Sequence, residues 1–202
     1  MSDDRVFQVA LIIGFLTFFP VAFYFRVRSQ ATGEPLDRRQ EGWFILLTLR
    51  PGGLLFMGSL IAYAIDPANL AWSAIPLPGW LRWIGVALYG MSGLLLMWTM
   101  KTLGPNLTDT VVTRRAHSLV RRGPYRWVRH PFYLSAALLA IGSMLAAASW
   151  FLALVGVTFF SLLVMRTRIE EQKLVERFGD AYRTYMDETG RFWPKRGSRT
   201  RA

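Results

Sequence analysis

Residues 132–165 read FYLSAALLAIGSMLAAASWFLALVGVTFFSLLVM, a run of 34 positions without a charged side chain. One membrane span needs about 20 apolar residues. A single helix over the whole run would extend about 51 Å at 1.5 Å per residue, far beyond a hydrocarbon layer of about 30 Å. The run therefore reads as a tight helical hairpin turning near Ala148-Ser149. Ser149 is suited to cap the second arm. Pro131 is suited to the first turn of the first arm, where its missing N–H is not needed. The polar residues flanking the run then meet on one side of the membrane.

Further apolar blocks lie upstream, at residues 6–25, 43–65 and 80–100. The second is interrupted by Arg50-Pro51-Gly52-Gly53, and the third begins with Trp80 and Trp83 as interface anchors. Asp3 and Asp4 precede the first block and no small-residue cleavage site follows it, so it reads as a retained span rather than a signal peptide. Charge then tests the hairpin. The stretch 26–41 holds four basic residues (Arg26, Arg28, Arg38, Arg39), 66–79 none, 101–130 seven and 166–202 ten. With five spans every basic segment falls on one face, as the positive-inside rule requires. With a single span over 132–165 the tail would lie opposite the basic 101–130 stretch. The expected fold is an all-α integral membrane protein of about five transmembrane helices with a cytoplasmic carboxyl-terminal helical segment. Its amino terminus lies outside, its carboxyl terminus inside, at a cell inner membrane or equivalent.

Composition agrees: 52% of the 202 residues are hydrophobic. There is no cysteine, hence no disulfide framework, and His117 and His130 are the only histidines, so no metal site is expected. The net charge of +11 is accounted for by the basic loops and their contact with anionic lipid, not by nucleic acid. In the tail, Ile169, Leu174, Val175 and Phe178 recur at helical spacing. Gly179 breaks the pattern, and Ala181, Tyr182, Tyr185 and Met186 resume it. The last span is thus expected to continue past the membrane, with a surface-lying helix after it and a mobile basic end past Pro194. The chain divides into three spans (1–100), a region holding the polar stretch and the hairpin (101–194) and the tail (195–202).

Two polar clusters border the hairpin. The first supplies Tyr125, Arg129, His130 and Tyr133, with backbone amides at a helix start that favour anionic groups. The second holds Arg166, Arg168, Glu170 and Glu171, whose adjacent carboxylates suit an ammonium or a sulfonium. Together they suit a ligand carrying both charge signs. Taken singly, each has a plainer reading: Arg129 as a positive-inside anchor, Glu170 and Glu171 as a solvated face paired with Lys173 or Arg166.

The order His117-x-Leu119-Val120-x-x-Gly123-Pro124-Tyr125-x-x-x-Arg129-His130-Pro131-x-Tyr133, then Arg166 and Glu170-Glu171, then Phe178-Gly179-x-x-Tyr182-x-x-Tyr185, resembles the isoprenylcysteine carboxyl methyltransferase family. That family belongs to a wider group of membrane methyltransferases that includes phospholipid N-methyltransferases. The likeness covers about residues 100–194. It implies S-adenosylmethionine as methyl donor, with His117, Ser118, Leu119 and Val120 lining it. Tyr125, Arg129, His130, Pro131, Phe132 and Tyr133 would continue that wall, and Glu170, with Glu171, would close it. Arg166 matches a family arginine near the substrate. The family pattern has glycine two residues after the motif tyrosine, where this chain has Ser135.

The expected partners are membrane lipids and a lipophilic small molecule or lipidated substrate. A carboxylate acceptor is already ionised at neutral pH, since its reference pKa is about 4, so positioning and electrostatics carry the chemistry. Arg166 is one candidate to hold that carboxylate. Arg50 is another, seven residues into its block and so roughly 10 Å deep; its alternative is snorkelling to the interface. Competing readings are an amine or phospholipid N-methyltransferase, an NADPH-dependent membrane reductase of related fold, and a lipid-binding scaffold.

Overall fold

A computed structural model describes residues 3–31, 45–104 and 118–195. His117 and the basic end beyond Lys195 lie outside the described residues. The described chain is helical: α1 (Asp3–Ala31), α2 (Arg50–Ile65), α3 (Gly79–Leu103), α4 (Pro131–Ala147), α5 (Trp150–Phe178) and α6 (Asp180–Glu188). Short 3-10 turns occupy Pro67–Ser73 and Gly123–Arg126.

The hairpin forms where the sequence places it. α4 begins at Pro131 and ends at Ala147, Ala148 adopts a left-handed conformation, and the Ser149 side chain accepts a hydrogen bond from the Leu152 amide. The loop between α2 and α3 is ordered by its 3-10 turn. Asp66 caps the Pro67–Ser73 turn by accepting from the Ala68 amide. That loop then docks on the hairpin tip, where the Ile75 amide donates to the Ala148 carbonyl at 2.8 Å and the Ser73 and Ser149 hydroxyls lie 2.7 Å apart.

Two boundaries differ from expectation. α1 does not stop at residue 25 but runs to Ala31, through Arg28; once started, a helix adds one hydrogen bond per residue fixed, and basic residues suit its C-terminal end. The interruption at Arg50-Pro51 is not a break. A π-helical turn over Ile45–Leu49 leads directly into α2, with Pro51 in the first turn, where its missing N–H costs nothing. Four helices (α1, α2 with part of its π turn, α3 and α5) are long and apolar enough to cross a membrane, among the described residues. α4, with 17 residues, rises about 25 Å, just short of a full crossing.

The core is made by close helix approaches. A Cβ added at Gly85 of α3 would lie 2.5 Å from the Ala146 backbone nitrogen, and one at Gly142 of α4 would lie 2.6 Å from that of Tyr89, so these two backbones touch. Tyr89 in turn packs beside Gly14 of α1. α2 meets α5 through stacked Phe56 and Phe159 rings, 6.0 Å apart. Leu11, Phe56, Leu60, Tyr63, Ala140, Leu152 and Val155 fill the centre. A smaller cluster of Leu49, Tyr133 and Leu163, flanked by Phe160 and Phe192, lies beneath the polar end of the hairpin.

At the opposite end of α4, Arg82 is buried. Its Nε donates to the Ala146 carbonyl at 3.0 Å and its Nη1 pairs with Asp4 at 2.8 Å. The guanidinium sits 4.0 Å from the centre of the Phe7 ring. This pairing across 78 positions ties α1, α3 and α4 together, and the sequence reading did not single it out.

Candidate functional site

The hairpin brings the two polar clusters together as geometry demands. The 3-10 turn Gly123–Arg126 opens the site. Gly123 has φ +58°, and a Cβ there would meet the Thr102 hydroxyl at 2.6 Å, so only glycine fits this turn against the end of α3. Trp127 packs edge-on to Trp98 of α3 at 5.4 Å. Residues 128–130 then run beside the chain that follows α6. The Arg129 amide donates to the Gly190 carbonyl (2.8 Å), the His130 amide to the Arg191 carbonyl (3.1 Å), and Val128 and Gly190 form a parallel bridge.

From α5, Glu171 projects into this junction. Its Oε1 accepts from Arg129 Nε at 2.9 Å, His130 Nε2 at 3.2 Å and Arg191 Nε at 3.3 Å, and its Oε2 accepts from Arg191 Nη2. Only 5% of the Glu171 side chain and 8% of that of Arg129 are exposed. Glu171 stands 21 residues past Trp150, or about 32 Å along α5, beyond the apolar part that crosses the membrane. Burial alone would raise its pKa; hydrogen bonds from His130, Arg191 and Arg129 outweigh that and hold it at about 2. Arg129 Nη1 also donates to the Met186 and Thr189 carbonyls at the end of α6, where the helix dipole favours a cation.

Glu170 faces a different partner. The Tyr133 hydroxyl donates to its Oε2 at 2.6 Å. The Tyr133 and His130 rings are stacked with their centroids 5.3 Å apart and planes 5° from parallel. Tyr125 lies on the other side of the turn: burial first, then the nearby Glu170 carboxylate and Tyr185, push its phenol well above its ordinary pKa, so it stays neutral. Its carbonyl accepts from the Tyr185 hydroxyl at 2.5 Å. Arg166, one turn before Glu170, keeps a buried Nε that makes no hydrogen bond among the described residues. Its charge is felt at the Tyr133 phenol.

Of the residues read from sequence, the structure gathers Tyr125, Arg129, His130, Tyr133, Arg166, Glu170 and Glu171 at one end of the hairpin. Pro131 is buried as the first residue of α4. Phe132 is exposed and meets Tyr133 edge-on. Leu119 and Val120 are half-buried and Ser118 is exposed in the lead-in to the turn. Arg50 is exposed, next in the chain to Leu49, which packs with Tyr133. Ser135 is accommodated: its hydroxyl donates to the Phe132 carbonyl at 2.6 Å and stays buried. Arg191 was missed. As one of ten basic residues in the tail, nothing local distinguishes it; the only signal is that a buried carboxylate needs matching charge.

Residues 83–176 match the model of the isoprenylcysteine carboxyl methyltransferase family. That stretch is just under half of the chain and points to this family. With this likeness and its apolar helices, the chain is an integral membrane protein. It is similar to the protein-S-isoprenylcysteine O-methyltransferase of Xenopus laevis, 34% identical over 52% of this chain and 38% of the relative. It is likewise similar to that of Saccharomyces cerevisiae, 36% identical over 45% of this chain and 39% of the relative. The methanethiol S-methyltransferase of Mycobacterium tuberculosis is 30% identical over 58% of this chain and 48% of its own length. The chain thus spans less than half the length of these family relatives. The matched family region holds Tyr125, Arg129, His130, Tyr133, Arg166, Glu170 and Glu171; Arg191 lies outside it.

Proposed function

We propose that the protein is a methyltransferase that uses S-adenosylmethionine to methylate a lipophilic acceptor, with the carboxyl group of an isoprenylated cysteine as the acceptor type. The observation that carries this is the Tyr133–Glu170 pair beside the unpartnered Nε of Arg166. An ionisable pair of opposite sign at the edge of an apolar bundle suits a ligand with both charges. The donor set fits S-adenosylmethionine: Glu170 and the aromatic faces of Tyr133 and His130 suit its cationic groups, and Arg166 is left for the acceptor.

When bound, that group supplies an electrophilic methyl on a positive sulfur. The chain's own contribution is positioning. Glu170 is held by Tyr133, the stacked His130 fixes the ring that holds it, and half-buried Tyr125 and buried Tyr133 keep water away. Arg166 would orient the acceptor carboxylate, which needs no base because it is already ionised. Arg50 is proposed as a second contact for that carboxylate. The positive-inside rule, applied to the basic stretches 26–41, 101–130 and 166–202, supports a cytoplasmic site with the amino terminus outside.

The test is calorimetric titration of S-adenosylmethionine into the detergent-purified protein. Glu170→Ala is expected to weaken binding by about a hundredfold and Tyr133→Phe by about tenfold, the range for losing a charged or a neutral partner. Circular dichroism should be unchanged. Unaltered affinity in Glu170→Ala removes Glu170 from the site. Methyl transfer to an S-farnesylated cysteine, a phospholipid amine and a small thiol then ranks the acceptors; the resemblance to a methanethiol S-methyltransferase is the reason to include the thiol.

A further inference from the structure

Glu171 sits one residue from Glu170 yet its carboxylate is engaged by three neighbouring side chains and only 5% exposed. Both its oxygens are taken, by Arg129, His130 and Arg191, in a pocket closed to solvent. Two of those donors belong to the turn that leads into α4. The third belongs to the chain after α6. The same two pieces are joined through their backbones at Val128–Gly190, Arg129–Gly190 and His130–Arg191. Lys195 closes the stretch by donating from Nζ to the Met186 and Asp187 carbonyls. Residues 189–195 therefore form a strap laid across the polar end of the hairpin, and its Phe192 ring reaches under the site to within 5.9 Å of the His130 ring.

We infer that Arg191 is a positioning residue for the cofactor site, acting by docking this strap on Glu171. The chain of contacts is short. Arg191 holds Glu171, Glu171 accepts from His130, His130 stacks on Tyr133, and Tyr133 donates to Glu170. Without Arg191, the Glu171 carboxylate keeps Arg129 and His130 only, and the His130 ring loses the fixed neighbour that sets its plane. Glu171 is then not a cofactor contact but the pivot that lets the carboxyl-terminal strap set the geometry of the residue beside it. Arg191 lies outside the matched family region, so this coupling belongs to a part of the chain that the family match does not reach.

The inference rests on S-adenosylmethionine binding at this site, and the test separates the two. Affinity is measured by calorimetry for the full chain, Arg191→Ala, Arg191→Lys, Glu171→Gln and the Arg191→Ala/Glu171→Gln pair, with thermal unfolding midpoints recorded on the same samples. Arg191→Ala and Glu171→Gln are each expected to weaken binding by about tenfold, and the pair by no more than either alone, as for two residues sharing one contact. Arg191→Lys, which keeps the charge but not the planar fork, should recover part of the loss. A strap that only stabilises the fold would lower the midpoint and leave the affinity unchanged. Binding within twofold of the parent in Arg191→Ala, or effects that multiply in the pair, overturns the inference and leaves the cofactor reading standing. If Arg191→Ala does not fold, Glu171→Gln decides on the same criterion. Absence of saturable binding in the parent protein overturns both.

Discussion

The two ends of α4 are both held by buried arginine chemistry, and they are held in opposite ways. At its far end a cation is central: Arg82 reaches the Ala146 carbonyl, the Phe7 ring and Asp4, whose side chain is 58% exposed. At its start an anion is central: Glu171 receives Arg129, His130 and Arg191 in a closed pocket. The first arrangement joins helices to one another and keeps its counter-charge in water. The second joins a turn, a helix and a strap, and keeps its central carboxylate and Arg129 away from water, with Arg191 at the rim. Burying charge this fully is costly unless each partner stays in place, so the second end is the one whose geometry is specified most tightly.

This contrast makes predictions of different size. Glu171→Ala is expected to cost about 3–5 kcal/mol, because it strands the buried Arg129 and His130; thermal unfolding in detergent should show the largest fall of the set. Arg82→Met should cost less, about 1–2 kcal/mol, since Asp4 returns to solvent and only the carbonyl bond and the ring contact are lost. An equal fall in both variants would erase the difference between the two ends. The smallest effect sharpens the picture of the far end: Ser149→Ala removes a helix cap and is expected to cost about 1 kcal/mol, read as a modest drop in the same midpoint with affinity for S-adenosylmethionine unchanged.

Much of this was legible in the order of residues. The uncharged run from 132 to 165 is too long for one helix, and Ser149 marks its turn, so the meeting of the two polar clusters follows from chain geometry alone. The helix after Gly179 follows from apolar spacing. What was not legible depends on contacts distant in sequence. Arg82 looks like any interface arginine until Asp4, 78 positions away, is seen beside it. Arg191 is one basic residue among many until Glu171 is seen to be buried. The continuity of α2 through Arg50 was hidden because Pro51 reads as a breaker, whereas in a first turn it is tolerated. Local patterns set the elements; the partner of a buried charge is chosen by packing.

The reciprocal contact of Gly85 and Gly142 has a mechanical consequence. With backbone against backbone, α3 and α4 hold no side chain at this contact whose change of rotamer could let the helices shift. Breathing of this bundle is easier at its other seams. Chief among them is the one where Phe159 of α5 lies over Gly52 and Gly53 of α2: there a ring that can swing, rather than a backbone that cannot, fills the gap.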